Sequence, residues 1–207
     1  YKPMETFLEY NTEIKYNKSV LIVPNYTHFG IDKNINADSF VLVLKSYLDN
    51  TNNKDTQFVL PYPDGHIPSD FYRYDNVKLI NMGKISTFPQ TMRVGFPYNF
   101  FKSLLSEYEF DDIWCHLPEW LNDLLIVRRY SKTRQRIYGY CHWFELPENG
   151  CYNHNCFQNN IQGILKMETC GVNSEWVKKI VLERAGEIYN DKVIDRLNEI
   201  ITPMYLG

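Results

Sequence analysis

A chain of 207 residues, 44% of them hydrophobic and 23% charged, carries enough apolar material for one medium-sized folded domain. A net charge of −3 excludes a global electrostatic attraction to nucleic acid or to an anionic membrane. The longest apolar runs, Val20–Val23 and Val41–Leu44, fall far short of the roughly 20 residues a membrane span needs, no signal peptide is read, and a cytoplasmic location is expected.

The run Lys18–Pro24 predicts a fully buried strand. A polar loop containing Gly30 follows, and then a helix over Ala37–Leu48. There Phe40, Val41, Leu44, Tyr47 and Leu48 recur at helical spacing, and Asn36 or Asp38 is placed to cap. Strand, glycine-containing loop and helix open a βαβ unit. Gln57–Pro61 and Val77–Asn81 predict two further strands, with a proline-rich turn over Pro61–Pro68 between them. Pro97–Tyr108 reads as a helix with proline near its start. The remaining elements alternate: strand Asp112–His116, helix Glu119–Tyr130, strand Arg136–Cys141, helix Phe157–Met167, strand Thr169–Asn173, helix Glu175–Ala185 and a last helix Asp191–Ile200. This alternation predicts an α/β domain with a mostly parallel sheet, and strands apolar on both faces require helices on both faces.

Five cysteines are an odd number and cannot all pair within one chain, so they read as reduced, buried thiols. Cys151, His154 and Cys156, with Cys141 and His142 upstream, carry zinc-ligand chemistry. Their Cys-x2-His-x-Cys spacing lies in a polar loop and lacks the paired spacing of structural zinc sites, so no metal site is assigned.

Parallel sheets bind ligands at the carboxyl ends of their strands. Four tips of this chain carry distinctive residues there: His28, Gly30 and Lys33 after the first strand, His116 and Glu119, His142 and Glu145, and Ser174 with Glu175. A lone histidine at a strand end is usually structural; four tips on one edge favour a site. Taken in order, DIWCHLPE (112–119), RIYGYCHW (136–143) and CGVNSEWVKK (170–179) resemble the N-terminal half of a GT-B glycosyltransferase, and the similarity covers most of the chain from Val20 onward. The motifs are short, so the resemblance rests on their order and spacing.

That resemblance implies a Rossmann-like acceptor domain over residues 18–202, one half of a GT-B architecture, after an N-terminal extension over 1–17. Residues 203–207 would begin an interdomain linker, and the donor-binding C-terminal domain, absent from this sequence, would be a further segment or a partner subunit. It implies a nucleotide-sugar co-substrate, an acceptor hydroxyl, no cofactor and no metal, with retention of configuration as the expected stereochemistry. His142 would be the catalytic histidine at the cleft floor, as hydrogen-bond donor or base. Gly30 and Lys33 would sit against the acceptor and the donor phosphate, with Lys33 placed to neutralise it. His28, His116, Glu119, Glu145 and Ser174 would line the acceptor side. Glu119 also suits a helix start, and Ser174 is first an N-cap. Glu175 and Glu183 imitate a donor-domain pair but stand on the wrong helix and lack its glycines.

Arg128, Arg129, Lys132, Arg134 and Arg136 place five cations in nine residues. They read as a solvated face or as a patch for a nucleic-acid acceptor, with the 15% aromatic content available for base stacking. Two other functions fit the same sequence. One is a non-catalytic Rossmann-like module that binds a nucleotide, a sugar or a partner protein. The other is a sugar-nucleotide epimerase, which would convert its substrate without an added acceptor.

Overall fold

A computed structural model describes residues 16–24, 39–51, 53–85, 87–88, 93–141, 144, 146–149 and 154–204. His28, Gly30, Lys33, His142 and Glu145 lie outside the described residues, as do the expected caps Asn36 and Asp38.

Among the described residues seven strands form one wholly parallel sheet. They are β1 (Lys18–Val23), β2 (Thr56–Tyr62), β3 (Val77–Asn81), β6 (Asp112–Cys115), β7 (Arg136–Cys141), β8 (Thr169–Val172) and β9 (Ile201–Pro203), in the order β3-β2-β1-β6-β7-β8-β9. Two short strands between β3 and β6, β4 (Thr87–Phe88) and β5 (Arg93–Val94), pair antiparallel apart from it. Val20 to Val23 are fully buried, as a central strand covered on both faces requires.

The helices are α1 (Ser39–Asn50), α2 (Tyr98–Glu107), α3 (Leu121–Val127), α4 (His154–Ile164), α5 (Glu175–Gly186) and α6 (Asp191–Ile200). Val41, Leu44 and Leu48 form the buried stripe of α1, while Leu42 and Asp49 face solvent. The chain winds outward from β1 in one direction through β2 and β3, then crosses back and winds outward in the other through β6 to β9. Right-handed crossovers therefore place α1 on one face of the sheet and the helices of the second half on the other. The packing agrees. Tyr47 of α1 meets Phe58 of β2 and Trp114 of β6 at ring separations of 5.9 and 5.7 Å, whereas α2 packs on α3 and α3 on α4.

Local pattern and structure differ in several places. The helix expected over Glu119–Tyr130 is divided into a 3-10 turn (Pro118–Trp120), α3, and a second 3-10 turn (Arg128–Tyr130). The helix expected over Phe157–Met167 runs three residues earlier, because Leu165 and Lys166 already form the turn into β8. The 3-10 turn Ser69–Arg73 and the strand β9 have no counterpart in the expected elements. Pro203 sits in β9 opposite Val172, so the sheet extends one residue into the stretch expected to begin a linker.

Candidate functional site

The strand order reverses between β1 and β6, which makes their carboxyl ends the natural crevice of this doubly wound, Rossmann-like α/β sheet. His116 lies there. It follows β6 directly, and its backbone N–H donates to the Val23 carbonyl of β1 at 2.7 Å. Its ring is 4% exposed and stands 5.8 Å from the Tyr140 ring at the end of β7. Tyr140 in turn donates its hydroxyl to Asn173 Oδ1, just beyond β8, at 2.5 Å. Burial pushes the Tyr140 hydroxyl above its ordinary pKa, so it remains a donor at neutral pH. The tips of four adjacent strands, β1, β6, β7 and β8, are thus connected in sequence by one polar and aromatic chain.

The structure brings His116 to this edge and places Glu119 in the turn that follows, near enough to Cys115 for its charge to oppose ionisation of that thiol. His116 forms part of a floor and is not an open side chain. Ser174 caps α5: its Oγ accepts from the Val177 N–H at 3.2 Å, so its capping role is met. Lys178, the basic end of the third motif, donates to the Asn198 carbonyl at 2.9 Å and ties α5 to α6. Glu183 lies beside Lys179, one turn earlier on the helix surface. Tyr140 and Asn173 were missed from sequence. Their signal was available, since Tyr140 is two residues before His142 and Asn173 directly precedes Ser174 at expected strand ends.

A cleft of about 440 Å3 opens beside the outer strand β3, with α2 as its other wall. Ile80, Met82, Phe100 and Leu104 make it predominantly apolar, and Asp64 adds a carboxylate. Asn81 Nδ2 donates to Asp64 Oδ1 at 2.9 Å, and Asn81 Oδ1 accepts from the Gly83 N–H at 2.7 Å. Gly65 and Gly83 hold φ of +82° and +79°, the left-handed region that lets these two turns close against each other. Sequence reading saw the first of them only as a proline-rich turn.

The five clustered cations separate in the fold. Arg136 pairs with Asp112 at 2.9 Å. Arg129 stacks on Tyr130 at 5.0 Å from the ring centre. Lys132 is exposed. Arg128 and Arg134 line a second pocket at the opposite edge of the sheet.

Among the described residues no group of three His, Cys, Asp or Glu is arranged to hold a metal ion, and Cys151 lies outside them. Cys115 and Cys170 are fully buried free thiols. Burial raises both, Cys170 to about 12 and Cys115 further, so neither is a thiolate nucleophile at neutral pH. Alkylation of the native protein at pH 8 is expected to leave both unmodified, with labelling only after unfolding in urea. Labelling of either in the native state within minutes would show that the β6 to β8 core opens.

No protein-family model and no curated protein sequence matches this chain. Among solved structures it is similar to Arabidopsis thaliana UGT89C1, solved in complex with UDP, at a TM-score of 0.45 and 10% identity. The alignment covers 92% of this chain and 49% of that one, so this chain spans about half the length of that protein. The fold assignment stands on strand order and register. Among the described residues no helix is long and apolar enough to cross a membrane.

Proposed function

We propose that this chain is the acceptor-binding half of a glycosyltransferase that moves a sugar from a nucleotide-sugar to an acceptor hydroxyl. The observation that supports this reading best is the convergence of the motif-bearing strand ends. Parallel register puts His116 at the sheet's reversal point, with Tyr140 and Asn173 on the same edge beside it. His142 follows the last residue of β7 in the chain, and in this reading it hydrogen-bonds the acceptor or takes its proton. Gly30 and Lys33 stand in the segment after β1, where this reading puts the donor phosphate. The cleft between β3 and α2 would take an apolar part of the acceptor, with Asp64 for a hydroxyl. A second Rossmann-like domain, in the same chain or in a partner subunit, would hold most of the donor, and a nucleotide-sugar co-substrate suffices without a cofactor.

The test is turnover by the natural full-length protein against a panel of nucleotide-sugars, read as donor hydrolysis so that the acceptor need not be known. One donor should be consumed, and His142→Ala should lower its turnover about a hundredfold with little change in the urea midpoint. Turnover near the parent rate in that variant removes His142 from the reaction. The burial of His116 favours a second reading, in which this edge is the floor of a non-catalytic nucleotide or sugar site. Saturable donor binding without any turnover would select that reading.

A further inference from the structure

The pocket on the opposite edge belongs to no part of the site described above. Arg128 ends the α3 segment, Arg134, Gln135 and Ile137 lead into β7, Lys166 and Glu168 lead into β8, and Arg196 comes from α6. Together they line an open pocket of about 270 Å3. Because the sheet is parallel, every strand start lies on this edge and every carboxyl tip on the other. The six residues of β7 separate the two edges by roughly 20 Å.

Its charge is unbalanced. Four cations face one carboxylate, Glu168. Arg196 has an exposed partner in Glu199 at 3.1 Å, but no carboxylate among the described residues pairs with Arg128, Arg134 or Lys166. Burial and the neighbouring Arg134 charge both disfavour the Arg128 cation, so the arrangement carries a repulsion that an anion would relieve. Gln135 backs the pocket. It is 3% exposed and lines the pocket, and its Nε2 donates to Ser131 Oγ, the Thr133 carbonyl and Thr133 Oγ1. Its buried Oε1 has no partner among the described residues. That oxygen has almost no accessible surface, so it lies behind the pocket wall and the ligand contacts fall to the cations.

We propose that this pocket binds a phosphate group, with Arg128, Arg134, Lys166 and Arg196 on the phosphate oxygens. The charge count selects an anion, and guanidinium forks match phosphate geometry. The pocket is open on one side and of a size for a single phosphate group. The assignment does not rest on sugar transfer at the other edge.

Titration calorimetry of the intact protein tests the assignment. Inorganic phosphate is expected to bind saturably, and ribose 5-phosphate to compete with it for the same site. Arg134→Ala and Lys166→Ala should each weaken phosphate binding about tenfold, while Lys132→Ala, outside the pocket, should leave it unchanged. A single-stranded oligonucleotide tests the other source of phosphate. If it displaces phosphate through Arg134 and Lys166, with a steep loss of affinity as salt rises, the backbone of a nucleic acid is the natural ligand group. If ribose 5-phosphate binds and the oligonucleotide does not, the source is a small molecule. No saturable phosphate binding, or binding that survives both substitutions, overturns the assignment.

Discussion

Gly163→Ala is expected to destabilise the protein by about 3 kcal/mol, the upper part of the range for overpacking a closed contact. A Cβ at Gly163 would stand 2.3 Å from the Pro118 carbonyl oxygen and 3.0 Å from its carbonyl carbon, and both are backbone atoms. Neither partner has room to retreat. Helix α4 is held by buried Phe157, Ile161 and Ile164, and the 118–120 turn by buried Pro118 and Trp120. Any movement of that turn is transmitted to His116 and Glu119, so the substitution also perturbs the carboxyl edge. Gly186→Ala is the matched control. Nothing lies within 4 Å of its built Cβ, and it closes α5 without a positive φ, so a neutral or slightly stabilising change is expected. Urea denaturation of the two variants provides the comparison, with near-ultraviolet circular dichroism reporting on Trp120. Equal midpoints would mean that α4 and the turn are not locked together.

The second large effect is expected at Asp112. Its carboxylate is 2% exposed and receives Lys18 from β1 and Arg136 from β7, so one side chain joins the three central strands at their starts. Asp112→Ala removes both charge-assisted contacts and leaves a small void, for a loss of about 3 kcal/mol. The loss stays short of the extreme for a broken buried pair because the remaining cations are 36% and 57% exposed and can turn to water. Asp112→Asn keeps the volume and an acceptor for Arg136, and a smaller loss is expected. The buried position also predicts weak dependence on added salt, since screening acts mainly on exposed charges. A midpoint for Asp112→Ala within experimental error of the parent would show that the three strands align without this clasp.

Both effects arise between segments far apart in the chain, and that is where sequence reading reached its limit. Strand β7 and helix α6 have the residue bounds expected from local pattern, because each carries its period within itself: an apolar β-rich run in one, a capped amphipathic turn pattern in the other. Strand β9 has three residues and one proline, too few to show a period, and it exists because β8 offers it a ladder. Glu119–Tyr130 shows a helical pattern throughout, yet only its middle is α-helical, with the ends tightened into 3-10 turns.

The sequence by itself determined the alternation of strands and helices, and with it a parallel α/β sheet, since parallel neighbours need helical crossovers and doubly covered strands need apolar faces. It also determined that distinctive polar residues follow the strands, because that is a matter of chain order. Only the tertiary structure decided which tips are neighbours. His116 meets Val23 because β6 crosses over to lie beside β1, and Tyr140 meets Asn173 because β8 docks on β7. The same holds for the basic run at residues 128–136, which looked like one patch in sequence. The buried Asp112 takes Arg136 out of it, Tyr130 takes Arg129, and Lys166 and Arg196 arrive from later elements to join Arg128 and Arg134 around Gln135. Local pattern sets what each segment becomes; strand order sets which side chains can act together, and strand order is decided by burial summed over the whole chain.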